Sequence, residues 1–179
     1  REFEEKVAQA GGRTQIGEEV WEFARDLARQ AEREAEMGQL MEQVKAGELE
    51  IDVLNLPLYP YQMLGTLFLA FTRRALLGDD MGLGKTIQAI AASVFLKGQG
   101  KLSKVLVICP ASLKLQWAKE IQRFSDERVT VMTGTKKKRE QLYAQDSTFT
   151  VLNYELVLRD FDLIRSLEPD LIVLDEAQR

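Results

Sequence analysis

Two short stretches contain the residue types and spacings that could do chemistry. The first reads Asp79, Asp80, Met81, Gly82, Leu83, Gly84, Lys85, Thr86. Gly82 and Gly84 allow a tight turn in which successive backbone N–H groups face an anion at the positive start of a helix. Lys85 would neutralise the β and γ phosphates of a nucleotide, and the Thr86 hydroxyl would ligate magnesium. The general phosphate-loop pattern has a glycine where this sequence has Asp79. The second stretch is an apolar run over residues 171–174, followed by Asp175, Glu176, Ala177 and Gln178. An acid at the carboxyl end of a parallel strand stands where α/β sheets bind their ligands. Asp175 would hold magnesium, directly or through water, and Glu176 would orient and deprotonate an attacking water. An acidic pair after a strand is also common as a solvated turn. Two matching halves at a workable separation favour a site for ATP and Mg2+, with Asp80, Met81, Gly82, Leu83, Gly84, Lys85 and Thr86 around the phosphates.

Such a site needs a strand before the loop, a helix after it, and further strands in parallel. Apolar runs at 75–78, 105–108, 129–132, 149–152 and 171–174 read as buried strands. Between them, Ile87, Ile90, Ala91 and Val94 share one helical face, and Leu113, Trp117, Ile121 and Phe124 share another. Strands alternating with helices of this length predict parallel βαβ units with right-handed crossovers. Residues 1–50 have a different character, highly charged with helical periodicity. Gly11 and Gly12 break a first short segment, Val20, Phe23, Ala24 and Leu27 recur at helical spacing, and Leu40, Met41 and Val44 continue the pattern to a stop at Gly47. The expected organisation is a helical segment over 1–50 and an α/β lobe over 51–179. One face of the helical segment is apolar and should dock on something.

Bulk properties narrow the classes. With 45% hydrophobic and 29% charged residues the composition is globular. The apolar stretch over 64–71 is far shorter than a bilayer span, and charge rather than an apolar core follows Arg1. The single cysteine, Cys109, excludes an internal disulfide and reads as a small buried hydrophobe. Without histidine, histidine-based triads and most catalytic zinc sites are excluded. A net charge of −4 decides nothing about nucleic acid, because binding depends on where Lys and Arg cluster.

Five segments, in order, carry a family resemblance. Gly78 to Gln88 looks like motif I of the Swi/Snf-type ATPases of helicase superfamily two, a family that tolerates an acid at the position of Asp79. Leu58, Tyr59, Pro60, Tyr61 and Gln62, followed by Gly65, are similar to its adenine-reading segment, which implies that Gln62 hydrogen-bonds the adenine edge. Residues 107–113 with Gln116 and Trp117 resemble motif Ia, residues 151–155 motif Ib, and residues 175–178 the DExx box. The resemblance spans residues 56–179 and implies the first of two RecA-like lobes, an α/β fold with a mostly parallel sheet flanked by helices. It further implies ATP hydrolysis coupled to movement on duplex DNA without strand separation, in a nucleus or, for a bacterial member, in the cytoplasm at the nucleoid. Gln178 stands where many members have histidine. Motif III and a second lobe with its arginine finger do not occur before Arg179, so a fragment, nearly inactive alone, is expected.

On this reading the loops after the strands near Ile108, Met132 and Leu152 lie on one edge. There Ser112, Thr133, Thr135 and Asn153 would hold DNA phosphates independently of sequence. The basic run Lys136, Lys137, Lys138, Arg139 is either a phosphate contact or a solvated helix start, and Trp117 reads as core rather than a stacking platform. Two other functions remain open. One is a different superfamily-two motor, an RNA helicase or restriction translocase, although the residues before Lys85 argue against the former. The other is a nucleotide-gated binding module with no turnover of its own.

Overall fold

The computed structural model describes residues 17–78 and 82–177. The expected break at Gly11 and Gly12, and the side chains of Asp79, Asp80, Met81 and Gln178, lie outside the described residues. The chain divides into two compact units, residues 1–39 and 40–179. In the first, helix α1 (Glu18–Ala46) begins with Glu18 and Glu19 at its positive end, and its Val20, Phe23 and Leu27 side chains are exposed. The helix continues into the second unit and stops as expected at Gly47, whose φ of 71° is left-handed. The Gly47 N–H donates to Val44 O at 3.1 Å and the Glu48 N–H to Gln43 O at 2.9 Å, so two carbonyls of the last turn are satisfied.

The second unit is a parallel α/β layer. Helix α2 (Pro60–Phe71) starts on a proline, and α3 (Lys85–Gly98) follows the phosphate loop. Then come β1 (Val105–Cys109), a 3₁₀ turn (Ala111–Leu113), α4 (Lys114–Phe124), β2 (Val129–Val131), α5 (Lys136–Tyr143), β3 (Phe149–Asn153), α6 (Tyr154–Arg159), α7 (Phe161–Leu167) and β4 (Leu171–Leu174). The four strands run in the order β2-β3-β1-β4, every pairing parallel. Parallel strands covered on both faces read as continuous apolar runs, and β1 is buried at all five positions. Ile90, Ala91, Trp117 and Ile121 are buried as the helical spacing predicts. On one side of the sheet Leu106, Ile108, Met132, Leu152, Leu156 and Leu167 form a continuous core.

Two strand expectations require correction. Residues 75–78 are not a strand: they form no ladder, and Leu76 is 86% exposed. An apolar run becomes a strand only when an edge pairs with it, and periodicity reports apolarity without reporting a partner. β4 forms as expected but is not buried throughout. Among the described residues it pairs with β1 alone, and Ile172 and Leu174 point away from the core at 52% and 55% exposure. An edge strand needs only one apolar face.

Candidate nucleotide and metal site

The phosphate-loop turn is made by glycine for reasons visible in its surroundings. Gly82 and Gly84 adopt φ of 87° and 75°, where a side chain is disfavoured. A Cβ on Gly84 would stand 2.7 Å from Gln62 Nε2 and 2.9 Å from Ile87 Cγ2. Gln62, buried on α2, is thus placed against the last glycine of the loop, while its Oε1 accepts the Tyr59 N–H at 3.0 Å and fixes the start of α2. The ladder of α3 opens with the Gln88 N–H on Gly84 O at 3.1 Å, so the N–H groups of Lys85 and Thr86 precede the ladder. This left-handed turn feeding a helix start is the backbone shape that suits a polyphosphate.

Gln88 has a structural role that spacing alone did not assign. It is buried, its Nε2 donates to Leu83 O at 3.3 Å, and it lies where a Cβ on Gly65 would meet its Oε1 at 1.8 Å. Gly65 therefore serves close helix approach: α2 and α3 can cross only if position 65 has no side chain. The signal was the paired glycine and glutamine on two neighbouring helices, and only the crossing relates them.

The second half of the site is built from strand register. Cys109 is level with Asn153, and Ile108 with Leu174, so Asn153, Cys109 and Asp175 form one row at the carboxyl ends of β3, β1 and β4. The Asp175 N–H continues the ladder onto Ile108 O at 2.9 Å. Its carboxylate accepts the indole N–H of Trp117 at Oδ2, 2.8 Å away, and its backbone carbonyl accepts the Tyr154 hydroxyl at 2.7 Å. A hydrogen bond to a charged group contributes about 1.5–3 kcal/mol. The indole is a neutral donor, so this contact orients the carboxylate without pairing it with a cation. Glu176, the next residue, has a φ of 53°, unusual for a side-chain-bearing residue and a place where strain of about 1–3 kcal/mol is held by surrounding structure.

The electrostatics follow this clustering. Burial, then the nearby Asp175 charge, raises the Cys109 thiol to about 11 despite the opposing charge of Lys114, so Cys109 is an inert packing residue, as expected. Burial raises Tyr154, with Asp175, Cys109 and Glu176 adding to the shift, so the phenol stays protonated and able to donate.

One turn before Trp117, Lys114 Nζ donates to Met132 O at 2.8 Å and to Asn153 Oδ1 at 2.9 Å. The Asn153 amide N–H in turn donates to Glu155, and this bond holds the Glu155 carboxyl below its usual range. Asn153 is thus occupied by internal bonds, whereas Ser112 and Thr133 are exposed at the same edge. Thr135 is exposed too, but its hydroxyl caps α5 by accepting the Lys138 N–H at 3.4 Å. The basic run divides. Lys136, Lys137 and Lys138 are exposed, but Arg139 is buried in an ion pair with Asp160. Among the described residues, no group of three or more potential metal-ligating side chains occurs, and no helix is long and apolar enough to cross a membrane.

A four-stranded parallel sheet flanked by helices, with a phosphate-type turn opening α3 and an acid pair ending β4, defines the class: a RecA-like α/β lobe. The SNF2-related domain family matches residues 26–179, and the chain belongs to that family. Chromodomain-helicase-DNA-binding protein 1-like of Danio rerio is 36% identical over 133 residues, 68% of this chain and 13% of that protein. DNA repair and recombination protein RAD54B of Homo sapiens is 34% identical over 114 residues, 59% of this chain and 12% of that protein. The SWI2/SNF2 ATPase core of Sulfolobus solfataricus, solved in complex with double-stranded DNA, superposes with a TM-score of 0.63 at 34% identity. That match covers 73% of this chain and 28% of the solved one. The chain therefore spans about an eighth of the length of these curated relatives.

Proposed function

We propose that this chain is the ATP-binding lobe of an ATP-dependent motor that moves on duplex DNA. The observation that carries the reading is the pairing of a left-handed glycine turn at the start of α3 with an acid held in place, but not neutralised, at the end of β4. Gln62 and residues 80–86 would hold ATP, with Lys85 on the β and γ phosphates. Thr86 and Asp175 would hold Mg2+, whose chemistry when bound is to offset phosphate charge. Glu176, fixed by the strained turn after Asp175, would orient the attacking water and take its proton.

Duplex DNA as the track is supported by the archaeal neighbour, whose structure contains it at 34% identity. Backbone-directed contacts would come from Ser112 and Thr133, with Thr135 and Asn153 acting through the loops they brace. The catalytic arginine would come from a second lobe, so turnover requires that lobe. For a eukaryotic parent, the likeness to a DNA repair and recombination protein supports a nuclear site of action.

Calorimetry of Mg-ATP binding to the full-length protein tests the assignment. Lys85→Ala removes a charge-assisted contact worth about 1.5–3 kcal/mol and should weaken binding roughly tenfold or more. Equal affinity in the two proteins would sink the nucleotide site.

A further inference from the structure

Trp117 belongs to the core by its burial, yet its one polar atom is directed at the acid that ends β4, 2.8 Å from Asp175 Oδ2. Tyr154, at the start of α6, holds the backbone of the same residue through its carbonyl at 2.7 Å. Both the side chain and the main chain of Asp175 are thus fixed by donors from other elements, one from α4 and one from the start of α6. We propose that Trp117 is a positioning residue for Asp175, setting the carboxylate rotamer that receives the divalent cation, with Tyr154 as its main-chain counterpart. The inference rests on the reading that Asp175 holds Mg2+.

Three observations separate this from ordinary packing. A buried indole needs a partner for its N–H, but a backbone carbonyl would serve; here the partner is a carboxylate at the ligand edge of the sheet. The donor is neutral and engages a single oxygen, which restricts rotation of the carboxylate without cancelling its charge. Finally, Lys114, three residues earlier and so on the same side of α4, is bonded to Met132 O and Asn153 Oδ1. One helical turn therefore ties the carboxyl ends of β2, β3 and β4 together. A displacement of the loops at that edge would reach Asp175 through a single rigid element.

The test uses the full-length protein with Mn2+ as the probe, its binding in the presence of ATP followed by electron paramagnetic resonance. ATP binding in excess chelator is measured alongside. Trp117→Phe keeps an aromatic core residue and removes the N–H. It should weaken Mn2+ binding roughly tenfold or more while metal-free ATP affinity stays within about twofold, a split that simple loss of packing would not produce. Tyr154→Phe removes only a hydroxyl and should shift Mn2+ affinity the same way by a smaller factor. It carries the test if Trp117→Phe fails to fold by circular dichroism. Unchanged Mn2+ affinity in the folded variants, or equal losses with and without metal, overturns the proposal. Asp175→Asn is the separate control: if it binds Mn2+ as the wild type does, the metal role of Asp175 itself is wrong, whatever Trp117 does.

Discussion

Asp160 and Asp175 are both acids in tight connections of the same α/β unit, and they are held in opposite ways. Asp160, between α6 and α7, has a fully buried side chain, and both oxygens accept from the Arg139 guanidinium at 2.6 Å. Arg139 also donates to Gly134 O at 2.6 Å, and the Tyr143 hydroxyl approaches Asp160 Oδ2 at 3.4 Å. The charge is matched and both oxygens are engaged in a fully buried site, so the pair is closed to a ligand. Asp175 is half-buried, with one oxygen on a neutral indole. A carboxylate saturated by a cation is a fastener between helices. One oriented by a neutral donor has no cation matched to it in that contact. Burial and hydrogen-bond inventory distinguish the two roles where sequence position does not.

Removing the cation that matches Asp160 should have the largest effect on stability. Arg139→Ala leaves a carboxylate in a dry site, and loss of one partner of a buried pair costs about 3–5 kcal/mol. Urea unfolding should show that loss, whereas Arg139→Met combined with Asp160→Leu should return to within about 1 kcal/mol of the wild type or exceed it. Asp175→Asn is the contrasting case: the amide oxygen still accepts from Trp117, and replacing a charged acceptor by a neutral one should cost only about 1 kcal/mol. A stability loss at Asp175 as large as that at Asp160 would collapse the distinction between the two acids.

Glu127 provides an intermediate case. Burial pushes its carboxyl up, but hydrogen bonds from Lys97 and Thr148 outweigh this and hold it below the ordinary value. A folded-state value below the unfolded one stabilises the protein above the unfolded value, near 4.5. That contribution is lost as the pH falls through the folded value. Thermal unfolding between neutral pH and pH 3 should therefore show a smaller acid-induced fall in Glu127→Gln than in the wild type. A steeper fall would reverse the sign of the coupling. The smallest effect is expected at Tyr143, whose long bond to an already saturated Asp160 should contribute no more than about 0.5 kcal/mol, readable as the stability difference of Tyr143→Phe.

The arrangement of elements was legible because it depends on periodicity, which is local. Ile90, Ala91, Trp117 and Ile121 face inward where a period of 3.6 places them, and the apolar runs around Val107 and Val151 lie in the sheet. Gly82 and Gly84 announced their turn because left-handed backbone restricts residue type within a few positions. Residues 75–78 are apolar without being a strand, since pairing depends on a neighbour distant in sequence. The exposure of Ile172 and Leu174 escaped for the same reason, because covering a strand face is the work of other elements.

The sequence alone determined this chain's class: a glycine turn followed by Lys85 and Thr86, an acid pair after an apolar run, and helices and strands alternating between them. Each of these is a statement about neighbours along the chain, and local sterics and periodicity carry it. Only the tertiary structure decided which charges are available. It removed Arg139 from a basic run by burying it on Asp160, engaged Asn153 with Lys114, and turned Trp117 from a packing residue into the donor that orients Asp175. The physical reason is that hydrogen bonding and desolvation act over a few ångströms in space. The partners they join here are 21, 39 and 58 residues apart in the chain.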